Sequence, residues 1–63
     1  MTRRKVNYKV RYTGEETIDL KPDKIYECIA EVYDENNELH DLAVIDDSQE
    51  DYLYDPDSFE LIE

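Results

Sequence analysis

Tryptophan is absent from this chain, and 63 residues hold one cysteine, one glycine, one histidine and two prolines. A single cysteine, Cys28, excludes an internal disulfide, so packing and hydrogen bonds alone must hold the fold; this usage suits a reducing compartment. His40 and Cys28 cannot assemble a zinc site. Nucleophilic catalysis needs a base within reach and a third group to orient it. One histidine beside a turn and one cysteine on the apolar face of a strand supply no such set, so no catalytic residues are expected and the chain reads as a non-enzyme. No apolar run approaches the roughly 20 residues that cross a bilayer, and the basic start "MTRRK" lacks the apolar stretch of a secretory signal. The expectations are a cytoplasmic monomer with no cofactor, no metal and no membrane partner.

Positive charge is scarce in a particular way. The Lys and Arg residues are Arg3, Arg4, Lys5, Lys9, Arg11, Lys21 and Lys24, and none follows. From Ile25 onward there are fourteen acids, and the net charge is −11. Such a surface repels nucleic-acid phosphates and anionic lipid, which excludes nucleic acid as a partner, and attracts basic proteins or peptides. Acids also keep a small protein soluble. The run "DDSQED" (Asp46 to Asp51) is rich in carboxylates, but Asp51 stands where a calcium loop of the EF-hand kind needs glycine, and the run suits a hairpin turn.

What is present is a series of short apolar clusters between turn residues. Val6, Tyr8, Val10 and Tyr12 alternate with Lys5, Asn7, Lys9 and Arg11, the pattern of a half-buried strand. The segment 1–5 before it reads as a flexible basic N-terminus, leaving 6–63 as the domain. Gly14 opens a long loop, with Ile18 and Leu20 spaced to tuck inward and Pro22-Asp23 as a turn. "IYECIAEVY" (Ile25 to Tyr33) places Tyr26, Cys28, Ala30 and Val32 on one face, while Ile25 and Ile29 break the alternation as a strongly bent strand serving two sheets would. "DENNE" is a hairpin turn with Asn36-Asn37 able to adopt positive φ, and "LHDLAVID" is the return strand. "DYLY" is a short strand with Leu53 inward, "DPDS" one turn of 3₁₀ helix, and "FELIE" a last strand with Phe59 and Leu61 inward. The expected core is Val10, Ile25, Cys28, Ala30, Leu42, Val44, Leu53, Phe59 and Leu61. The first and last strands should pair, with Lys9 and Arg11 near Glu60 and Glu63.

This order, carried by Tyr52-Leu53 and Pro56-Asp57-Ser58-Phe59, resembles the SH3-like small barrel of five short strands with a single 3₁₀ turn before the last. More closely, "KVRYTG", "DKIYECI" and "VIDDSQEDYLYDPDSFELIE" resemble a family of small, uncharacterised bacterial SH3-like proteins. The resemblance implies an all-β barrel and names no activity. Tryptophan is missing where peptide-binding SH3 domains carry one; Leu39-His40 occupy that region.

If Leu53 points inward, Tyr52 and Tyr54 point outward together. Pro56 follows on the adjoining turn, and Glu15, Glu16 and Asp19 of the long loop are expected across a groove. Tyrosines beside acids can stack on proline-containing segments while pairing with Lys or Arg. Tyrosines also cover barrel edges and hydrogen-bond loops. The first functional expectation is therefore an interaction module for a basic or proline-containing segment, through Tyr52, Tyr54, Pro56, Glu15, Glu16 and Asp19. The alternative is an acidic inhibitor that mimics nucleic acid, which needs its carboxylates in rows over an extended face, not gathered at the tyrosines.

Overall fold

The computed structural model describes residues 1–62. Its elements are β1 (Thr2–Tyr12), β2 (Ile25–Tyr33), β3 (Leu39–Ile45), β4 (Asp51–Tyr54), a 3₁₀ turn (Pro56–Ser58) and β5 (Phe59–Leu61). All strands join one antiparallel sheet in the order β4-β3-β2-β1-β5. β4 and β5 stand at its two edges and are not paired with each other, so the hydrogen-bonded sheet is open. No helix is long and apolar enough to cross a membrane among the described residues.

Alternation along β1 has the expected phase: Val10 and Tyr12 are buried, and Val6 and Tyr8 half-buried. The strand nevertheless starts earlier than that alternation. Thr2, Arg3, Arg4 and Lys5, assigned to the N-terminal tail, pair with Tyr33, Val32, Glu31 and Ala30 of β2. These residues are polar on both faces, so they carry no period-2 signal, yet backbone pairing does not require one. Register shifts lie between Lys5 and Tyr8 in β1 and between Cys28 and Ala30 in β2, where Ile29 is the extra residue. A residue inserted on one side of a ladder bends the strand and increases its twist.

The two hairpins share one design. Asp34 and Asp46 each open a tight turn, their backbone N–H groups donating to the carbonyls of Glu38 and Glu50 at 2.9 and 3.2 Å. Each aspartate also accepts, through Oδ1, the N–H two residues ahead, from Asn36 and Ser48. The fourth residue of each turn is left-handed, with φ 62° at Asn37 and 67° at Gln49. The short side-chain acceptor at the first position therefore builds both turns.

The core gathers Val10, Tyr12, Leu20, Tyr26, Cys28, Leu42 and Val44, with Val6, Tyr8, Tyr54 and Phe59 packed against it. Ala30, Val32 and Ala43 are buried outside that cluster. Gly14 is needed for a close approach: a Cβ there would meet the Tyr12 hydroxyl at 2.5 Å. Tyr54 and Phe59 meet edge-on at 5.9 Å, bringing side chains of the two edge strands together.

Three expected core positions, and Ile18 of the loop, which was expected to tuck inward, behave otherwise. Ile18, Ile25 and Leu61 are exposed, and Leu53 is 52% exposed while Tyr54 packs inward. "YLY" alternates equally well in either phase, and pairing with β3 decides it. Tyr54 and Tyr52 stand opposite Leu42 and Val44 of the core, whereas Leu53 stands opposite Ala43 on the other face. β1 and β5 do pair, and Arg11 approaches Glu60 at 3.9 Å. The expected approach to Glu63 lies outside the described residues.

Candidate functional site

Five of the six tyrosine hydroxyls donate to carboxylates, and the sixth, Tyr12, to the backbone carbonyl of Glu15 at 2.6 Å. Glu31 receives two of them, from Tyr8 at 2.6 Å and Tyr33 at 2.8 Å. Those bonds hold the Glu31 carboxyl below its ordinary value, the Tyr8 bond first. Tyr8 moves the other way: burial raises its phenol, and donation to Glu31 raises it further. A phenol that donates to a carboxylate stabilises the ionised acid and the neutral phenol together, so the two values part.

Asp46 is the buried member of this web, 4% exposed. Its Oδ1 accepts from the backbone N–H and hydroxyl of Ser48, and its Oδ2 from Tyr54 at 2.5 Å. Burial works against its ionisation, but the bonds from Ser48 and Tyr54 outweigh it and hold the carboxyl below its usual range. Next to it, Asp47 pairs with the Lys24 ammonium and accepts from Tyr26 at 3.1 Å. The Lys24 bond lowers Asp47, and the same bond raises Lys24.

Tyr52 lies at the rim of the same face. Half of it is exposed (50%), and its hydroxyl donates to Glu50 at 2.9 Å, which raises the phenol. Asp19 is part of this neighbourhood: its carbonyl accepts from the Asp47 N–H at 2.9 Å, and its charge raises both Tyr52 and Tyr54. The structure thus brings Asp19, Tyr52 and Tyr54 together, and adds Asp46, Asp47 and Glu50, which the sequence had offered only as a turn. Tyr54 is not free to act as an outward ring, because Phe59 and Asp46 hold it. Pro56 is half-buried at the start of the 3₁₀ turn, whose N-cap Asp55 accepts from the Asp57 N–H. Glu16 pairs with Lys21 at 3.6 Å within its own loop, and Glu15 lends its carbonyl to Tyr12. What could have revealed Asp46 is the match of "DDSQE" to "DENNE", each with an aspartate two residues before a small polar residue.

One surface concavity lies away from these residues and another borders them. The first, about 320 Å³, is lined by Arg3, Lys5, Ile29 and Ala30. The other, about 240 Å³, lies around Lys24, Tyr26 and Asp47. Cys28 is buried, with its thiol raised by that burial, the environment of an unreactive cysteine. Among the described residues no group of three or more His, Cys, Asp or Glu side chains is gathered for a metal. Comparison with protein-family models, curated proteins and solved structures finds no match to this chain.

Proposed function

We propose that the chain is an SH3-like small barrel, akin to the bacterial family it resembles, and serves as a non-enzymatic module binding a basic or proline-containing segment. Support for the barrel comes from the strand order, the long loop between β1 and β2, the 3₁₀ turn before β5, and the Tyr54–Phe59 contact between edge strands. The observation that carries the binding reading is the position of Tyr52. It is a half-exposed ring placed among Glu50, Asp19 and Asp46, an arrangement that suits stacking on a cation or proline beside carboxylates that pair with it. Asp19, Tyr52 and Pro56 remain the contact residues of the proposal, with Glu50 added; Tyr54 supports them from beneath.

The nucleic-acid-mimic alternative requires acids in rows over an open face. Glu31, Asp46, Asp47 and Glu50 instead meet tyrosines, which favours the module. Titrating the ¹⁵N-labelled chain with Arg/Lys- and proline-containing peptides tests the choice. Salt-sensitive amide shifts are expected at Asp19, Glu50 and Tyr52, and Tyr52→Ala should abolish them without unfolding the domain. Shifts confined to Asp41–Asp47, unaffected by Tyr52→Ala, would replace the module with the mimic.

A further inference from the structure

β1 is much longer than the strand that covers it. Among the described residues, β5 meets β1 only at Val10, Arg11 and Tyr12, with one further bond from the Ile62 N–H to the Lys9 carbonyl at 3.1 Å. Thr2 to Asn7 therefore have β2 on one side and, among the described residues, no strand on the other. In a strand, successive residues turn their N–H and C=O groups to alternate sides, so this edge offers unpaired donors and acceptors.

The edge is also the basic part of an acidic molecule. β1 contains Arg3, Arg4, Lys5, Lys9 and Arg11. Arg3 reaches Asp51 only at 3.9 Å with both side chains about half exposed, and among the described residues Arg4, Lys5 and Lys9 take part in no ion pair. On the other side of β1, over its ladder with β2, lies the cleft of about 320 Å³ lined by Arg3, Lys5, Ile29 and Ala30. An open backbone edge is what recognition by strand addition uses, and the cations along it set the charge of the strand that fits.

We propose that the Thr2–Asn7 edge of β1 binds an extended acidic segment of another protein, added as a further antiparallel strand whose carboxylates pair with the cations of β1. Charge selects the occupant. Two β1 edges brought together would oppose Arg3, Arg4 and Lys5 to their own copies, and two whole chains each carry −11. A short acidic strand pairs with Arg3, Arg4 and Lys5 instead of opposing them, and with few charges of its own it meets far less of the repulsion that separates two whole chains. This face and this partner chemistry are separate from those of Tyr52, so either can fail alone.

The probe is a short capped peptide alternating Glu and Val, with a Lys/Val counterpart, titrated into the ¹⁵N-labelled full chain. Shifts and slowed amide exchange are expected within Thr2–Asn7 for the Glu/Val peptide only. Arg3→Gln with Lys5→Gln should weaken binding about tenfold or more, since it removes the charge pairing while leaving the backbone edge intact. N-methylation along one edge of the peptide should abolish binding, and along the other leave it. Shifts without slowed exchange, equal binding of the Lys/Val peptide, or no binding overturns the proposal. So does concentration-dependent self-association through the same residues, which would make a second copy the occupant.

Discussion

Asp46 carries several jobs with one carboxylate: it opens the second hairpin, receives Ser48, and anchors Tyr54. Its charge is tolerated in a buried position because each oxygen is hydrogen-bonded, and removing it would leave the Tyr54 hydroxyl without its partner. Asp46→Ala is expected to cost about 2–3 kcal/mol and Tyr54→Phe about 1 kcal/mol, measured by urea unfolding. If the two act through their shared bond, Tyr54→Phe should cost little once Asp46→Ala is present. Equal costs in both backgrounds would mean that the bond adds nothing. None of this was legible from Asp46 alone, since an aspartate in an acidic run has the same appearance whether solvated or buried. Its burial depends on the register between β3 and β4, which places Tyr54 beside it.

Strands were legible where one face is apolar and the other polar. β2 and β4 have the bounds that alternation and turn residues assign, and the 3₁₀ turn falls on "PDS" as the preceding aspartate and proline suggest. Legibility failed where both phases or both faces look alike: in "YLY", decided by Val44 and Leu42 across the ladder, and in "TRRK", polar on either side. The candidate site suffered from the first failure. Tyr52 and Asp19 stand together as expected, but Tyr54 faces the core. The hairpins give a test at this scale. Gln49 holds a left-handed conformation with a longer side chain than Asn37, and asparagine tolerates that region better. Gln49→Gly should therefore stabilise by about 0.5–1 kcal/mol and Asn37→Gly by less, read from melting temperatures. A larger gain at Asn37 would show that the side chain at Gln49 contributes more than its strain costs.

Across the whole molecule, the acid surplus divides between carboxylates that the fold consumes and those left on the surface. Glu31, Asp46 and Asp47 belong to the first group: Tyr8 and Tyr33 hold Glu31, Ser48 and then Tyr54 hold Asp46, and Lys24 and Tyr26 hold Asp47. Their folded values lie below the unfolded ones, so the stability they add is complete above about pH 5, past the unfolded carboxylate range, and is lost as pH falls through the depressed values. Tyr8, Tyr54 and Lys24 are raised, so their contribution is complete below the unfolded range near about 10 and is lost as pH rises through the folded values. The central claim is that tyrosine–carboxylate pairs turn Glu31, Asp46, Asp47 and Glu50 from sources of repulsion into cohesion. Its most direct test is a residue-resolved NMR titration that follows the carboxyl carbons of Glu31 and Asp46 and the ring carbons of Tyr8 and Tyr54. The expected result is that both acids titrate below exposed carboxylates and both phenols above the ordinary tyrosine value, with stability falling at each limb. Ordinary values for all four in an intact fold would contradict it.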